Sequence, residues 1–156
     1  MQVVGALVHV ARTLPGVRPG KIALFGHSRG GTAALAYLLK RDDVQAVVLS
    51  SAGYSPVLDE YISDADAPIL MLHGTADGSS DDGGAGITNI KMARDFEAKM
   101  KAADKSVEAV YYEGGHHNDI FTSPTRHRDE LKRMASFLHK NLGEISAHSS
   151  GDEGHK

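Results

Sequence analysis

Apolar positions along the chain fall into two alternating kinds of run. Short, nearly continuous apolar stretches occur at 21–26 (K-I-A-L-F-G), 44–50 (V-Q-A-V-V-L-S), 69–73 (I-L-M-L-H) and 107–112 (V-E-A-V-Y-Y). Runs of this length, rich in β-branched and aromatic residues and bounded by turn residues, predict strands buried on both faces. Between them the spacing changes to helical. Val3, Leu7, Val10, Ala11 and Leu14 predict a buried amphipathic helix that Pro15-Gly16 stops. Residues 32–40 read as a helix apolar on nearly every side, as expected of one pressed against a sheet.

The stretch 51–68 predicts an irregular connection with one helical turn around Leu58 to Ile62, closed by Pro68. Residues 74–86 are rich in Gly, Asp and Ser and predict loop. Ile90, Ala93, Phe96, Met100 and Ala103 form a helical stripe. Ser123-Pro124 supplies an N-cap with proline at the first helical position. The helix behind it carries Leu131, Met134, Ala135, Leu138 and Leu142 on one face and ends at Gly143. Strands alternating with helices predict an α/β fold: three layers, α/β/α, around a mainly parallel sheet. The expected organisation is one catalytic domain over 1–143 and a disordered polar tail over 144–156, whose Ser, His and Gly offer too little apolar surface to order.

Composition narrows the partners. The chain has 156 residues, 41% of them apolar, a globular proportion. Seventeen Lys and Arg against twenty Asp and Glu leave no basic field, so nucleic acid is not an expected partner. No apolar run approaches the roughly 20 residues of a membrane span. Val3 to Ala11 lacks the positive residues that open a signal peptide, and the cytoplasm is the expected location. Without cysteine there is no thiol nucleophile and no thiolate metal site.

The chemistry concentrates at three turns. Gly26-His27-Ser28-Arg29-Gly30 sits between a predicted strand and a predicted helix, the context that the nucleophile-elbow motif G-x-S-x-G requires. A serine lifted on so sharp a turn takes a strained backbone, and the reading expects Gly26 and Gly30 to be needed because side chains there would strike the turn. The helix N-terminus beneath adds a positive dipole end near a developing oxyanion. A serine needs a base, and the base an orienting acid. The third strand runs into His73-Gly74-Thr75-Ala76-Asp77, and the fourth into Glu113-Gly114-Gly115-His116-His117-Asn118-Asp119. The order Ser, Asp, His at successive strand ends is that of α/β-hydrolases.

On these residues the chain resembles the α/β-hydrolase superfamily, most closely its dienelactone-hydrolase and prolyl-oligopeptidase-like esterase branch. F-G-H-S-R-G-G, L-H-G-T-A-D and Y-E-G-G-H-H-N-D carry the resemblance, which spans about residues 5–142. It implies Ser28 as nucleophile, Asp77 as acid and His117 as base, with His116 the alternative because it stands where the family has glycine. It also implies the Arg29 backbone N–H as an oxyanion donor. His27 and His73 are expected to be structural. A metal cluster drawn from Asp81, Asp82, His116, His117 and Asp119 misses calcium-loop spacing, and H-E-x-x-H is absent, so neither metal nor cofactor is expected.

The family places its elbow after about a hundred residues that build strands one to four. The resemblance therefore implies the C-terminal portion of the fold, strands five to eight, and leaves open an export signal on a preceding segment. The edge between Lys21 and Gly26 is then unpaired, expecting either a second copy of the chain or a preceding N-terminal half. The oxyanion hole would also lack the donor that the family's earlier loop supplies, which costs on the order of 100- to 1,000-fold in rate. The expected substrate is a small carboxylic ester. The alternatives are a peptide or thioester cleaved by the same triad, or a half-domain without turnover.

Overall fold

A computed structural model describes residues 2–78 and 86–143. Its elements are α1 (Gln2–Thr13), β1 (Ala23–His27), α2 (Arg29–Leu38), β2 (Ala46–Ser50), a 3-10 segment (Pro56–Asp64), β3 (Ile69–Gly74), a 3-10 turn (Gly86–Thr88), α3 (Ile90–Ala102), β4 (Val107–Tyr112), α4 (Asp119–Thr122) and α5 (Pro124–Leu142). The expected tail, 144–156, lies outside the described residues, as do Asp81 and Asp82 of the loop.

All four strands are parallel and lie in chain order, β1-β2-β3-β4. Parallel neighbours need crossovers, and crossovers are right-handed, so a sheet in chain order sends every connection over the same face. That face holds the larger core. Leu35 and Leu38 of α2, Leu58 and Ile62 of the first 3-10 segment, and Phe96 and Met100 of α3 pack there on Val47, Leu49, Ile69 and Met71. The alternate strand residues Ala46, Val48, Leu70 and Leu72 face the other way and meet Phe137 of α5, which returns after the last strand. The two central strands are buried along their whole length, the expected signature of a sheet covered on both sides.

One predicted helix face is turned and a second is shifted. In α1 the buried residue is Val8, with Val4 and Ala11 packed beside it, while Val3, Leu7, Val10 and Leu14 are each at least half exposed. The helix is apolar on two faces. Tyr37 of α2 lies against Gly5, and Arg12 hydrogen-bonds Asp43, which together select the Val4–Val8–Ala11 face for the core. In α5 the fully buried residues are Arg126, Glu130 and Phe137; of the expected stripe, Met134 and Leu138 are half-buried and pack on the Phe137 cluster, while Leu131 and Ala135 are exposed. Here a buried ion pair occupies positions that a purely apolar pattern rejects. Helix α2 also starts three residues earlier than its apolar pattern suggests, directly after Ser28, and the short α4 was not anticipated.

Candidate active site

Because the strands are parallel, the turns that follow β1, β3 and β4 all emerge at one edge of the sheet. That is why residues 28, 77 and 117 meet. Ser28 is the N-cap of α2, with φ 54° and ψ −122°, a conformation that L-residues seldom adopt. Its N–H donates to the Ser50 carbonyl and its own carbonyl accepts from the Thr32 N–H, so the neighbouring strand and the helix fix the bend. A β-carbon on Gly26 would collide with the Gly30 and Gly31 backbone, and one on Gly31 would lie 2.7 Å from the Ala52 Cβ. Gly30 is different. A β-carbon there meets nothing within 4 Å, so the steric demand expected of Gly26 and Gly30 falls on Gly26 and Gly31. The bend folds β1 back onto the start of α2, while position 30 points outward.

His117 stands between the other two groups. Its Nε2 is 2.9 Å from Ser28 Oγ, and its Nδ1 is 2.9 and 3.1 Å from the two Asp77 carboxylate oxygens. With Nδ1–H donating to the carboxylate, the Nε2 lone pair faces the serine hydroxyl and can accept its proton. His117 and Asp77 are buried. His116 is exposed, and its backbone N–H donates to Asp119 Oδ2 at 2.8 Å, so the structure brings His117 and not His116 to the serine. Arg29 opens α2, and a first-turn N–H has no intrahelical acceptor, which leaves it a donor beside Ser28.

Asp77 is held from behind. His73 is fully buried, its Nε2 lies 2.6 Å from the Thr88 carbonyl oxygen and 3.4 Å from Asp77 Oδ2. A carbonyl accepts only, so Nε2 carries the proton, and burial pushes the His73 pKa down against the pull of Asp77. His73 is thus a neutral structural donor rather than a base. His27 tilts against the His117 ring at 5.0 Å between centroids and takes an edge contact from Phe121 at 4.9 Å. Burial lowers its pKa as well, partly offset by the hydrogen bond to Asn118. Among the described residues, no group of three or more histidine, aspartate or glutamate side chains is arranged to hold a metal ion.

The turns carrying Asp77 and His117 touch. A β-carbon on Gly74 would run into the Gly115 carbonyl, and the Ala76 N–H donates to that same oxygen at 3.0 Å. Arg126 Nη1 donates to the His116 carbonyl at 2.9 Å, and Arg126 Nε to Glu130 at 2.5 Å. Burial pushes the Glu130 carboxyl up, opposed by Arg126. Sequence reasoning missed Phe121, Arg126 and Glu130. The available signal was register: 126, 130 and 137 share the face of α5 that carries its one buried aromatic ring.

The chain matches the dienelactone hydrolase family over residues 2–142. No curated protein matches it. Among solved structures, Pyrococcus horikoshii acylaminoacyl peptidase is similar with a TM-score of 0.76 and 16% identity, covering 99% of this chain and 28% of that one. A putative dienelactone hydrolase from Klebsiella pneumoniae has a TM-score of 0.75 at 20% identity, over 89% of this chain and 61% of the other. Thermogutta terrifontis esterase 2, phosphoramylated by tabun, has a TM-score of 0.69 at 20% identity, over 90% and 64%. These likenesses show an α/β-hydrolase fold, of which the chain spans between about a quarter and two thirds of each relative's length. No helix among the described residues is long and apolar enough to cross a membrane.

Proposed function

Since the chain belongs to the dienelactone hydrolase family, we propose that it carries the machinery of a serine hydrolase that cleaves carboxylic esters through an acyl-enzyme. The observation that supports this reading is the hydrogen-bonded line from Ser28 through His117 to Asp77. Ser28 Oγ attacks the ester carbonyl carbon as its proton passes to His117 Nε2. Asp77 accepts the His117 Nδ1–H and stabilises the imidazolium that forms. The oxyanion of the tetrahedral intermediate lies by the Arg29 N–H and the N-terminus of α2. Collapse expels the alcohol, which takes the proton back from Nε2. Water then attacks the acyl group by the same route in reverse, regenerating Ser28. The same line can attack a thioester or an amide, and matched ester, thioester and anilide substrates rank the three.

A fluorophosphonate probe tests the assignment, because it needs only an activated serine. Labelling should occur at Ser28 and disappear in Ser28→Ala, which keeps its fold since the elbow accepts a small residue. Labelling that survives in Ser28→Ala would place the nucleophile elsewhere.

We also propose a partner surface at the outer side of β1. Phe25 is 49% exposed on one face of this edge strand, and Leu7, 64% exposed, belongs to the uncovered α1 stripe. An apolar edge of this kind takes up another strand. We take a second copy of the chain as the source of that strand.

A further inference from the structure

Behind the Ser28–His117–Asp77 line lies a buried ion pair that the proposed chemistry does not use. Arg126 is 5% exposed and Glu130 is fully buried. Withdrawing two such charges from water costs several kcal/mol per ion, and packed apolar residues of the same size would often be as stable. The contacts of this pair suggest another role for it. Arg126 Nη1 donates to the carbonyl of His116, the residue joined to His117. Nη2 lies 3.5 Å from Ser51 Oγ, where the chain leaves β2 with φ 46°. Glu130 Oε2 accepts from Ser50 Oγ at 3.0 Å, and Ser50 Oγ is 3.4 Å from Nδ1 of His27, the residue before Ser28. The guanidinium also lies 4.7 Å from the Tyr112 ring centroid. A β-carbon on Gly115 would come within 2.8 Å of Nη1 and one on Gly74 within 3.0 Å, so glycine at both turns leaves the space the guanidinium occupies. One planar fork thus touches the turn that carries the base and, through its carboxylate partner, the strand end beside the elbow.

We propose that Arg126, held in place by Glu130, is the positioning residue that keeps the His117 turn at hydrogen-bonding distance from Ser28. This rests on the reading of Ser28 as nucleophile and His117 as base. The physical reason is the tolerance of proton transfer: a displacement of about 1 Å costs on the order of 100-fold. A lysine ammonium is a point charge and cannot reproduce the fork.

The test uses the whole chain with Arg126→Met, Arg126→Lys and Glu130→Gln, with folding checked by circular dichroism. Two readouts are taken: fluorophosphonate labelling, split into probe binding and inactivation rate, and the downfield NMR resonance of the His117 Nδ1 proton. In Arg126→Met the inactivation rate should fall about 100-fold with probe binding unchanged, and the His117 resonance should broaden or vanish. Arg126→Lys should recover no more than about tenfold of that loss, and Glu130→Gln, which keeps an acceptor, should lose less than Arg126→Met. A folded Arg126→Met with the wild-type rate and resonance overturns the proposal. Should Arg126→Met fail to fold, a folded Arg126→Lys with both wild-type values overturns it equally. Should the wild type resist the probe altogether, the hydrolase reading fails, and the His117 resonance alone still reports whether Arg126 sets the turn.

Discussion

The C-terminal end of the sheet and the outer edge of β1 are built from the same strand and obey opposite rules. At the first, buried and half-buried polar groups find one another: Ser28, His117, Asp77, His73, Arg126 and Glu130 each have a partner within hydrogen-bonding distance. At the second, Ile22, Ala23 and Leu24 pack on the core while Phe25, only three residues before Ser28, is left half exposed by the described residues. Polar order at the site is set by contacts from β2, β3, β4 and α5, and does not need the open side of β1. The edge, in contrast, is defined by what it lacks. The difference teaches that site geometry and quaternary state should respond to separate substitutions.

The largest expected effect lies on the site side. His117→Ala should slow fluorophosphonate labelling at least about 1,000-fold, as loss of a triad base does, whereas exposed His116→Ala should change it less than about threefold. Equal losses at the two positions would mean that the turn as a whole matters rather than the one ring that reaches Ser28.

A smaller effect belongs to the edge. Phe25→Lys combined with Leu7→Lys puts charge on the exposed apolar positions of β1 and α1. Each lost apolar burial is worth about 1.5–3 kcal/mol, so self-association seen by sedimentation should weaken at least about tenfold. Labelling of Ser28 should stay within about twofold. Unchanged sedimentation would remove the edge as the contact surface. A large drop in labelling would break the separation of the two regions.

How far the sequence reveals these regions follows the same division. The strands, their parallel arrangement and the three turns that meet at the candidate site were legible because each is local: an apolar run, a glycine-flanked serine, an acid and a histidine at strand ends. The faces of α1 and α5 were legible only in part. An apolar stripe can be read at two rotations when a helix is apolar on both sides, as Val3–Leu7–Val10 and Val4–Val8–Ala11 are, and only Tyr37 and Asp43, far along the chain, choose between them. In α5 the choice is made by charge. Arg126 and Glu130 look like an exposed i,i+4 pair, and it is groups brought by other elements, the His116 carbonyl, Ser50, Ser51 and the Tyr112 ring among them, that make an inward position tolerable. Gly30 fits the motif without a steric need, which no motif can disclose.

The smallest expected effect is the dependence of stability on pH, and it should also sort by region. Burial holds the His73 and His27 pKa values below the usual histidine value of about 6.5. A group depressed in this way contributes stability that is fully present above its unfolded pKa and lost as pH falls through its folded pKa. Glu130, raised by burial, acts in the opposite sense: its contribution is whole below its unfolded pKa and is lost as pH rises through the folded one. Between pH 7 and 5.5 the two histidines should dominate, because protonation of the unfolded chain at about pH 6.5 precedes that of an ordinary carboxyl. Each can add at most about 1.4 kcal/mol per pH unit to the slope of unfolding free energy. His73→Asn should flatten that slope in urea titrations, while Leu7→Lys at the edge should leave it as it is. An unaltered slope in folded His73→Asn would show that His73 is protonated equally in both states, and that the site end is no more acid-sensitive than the edge.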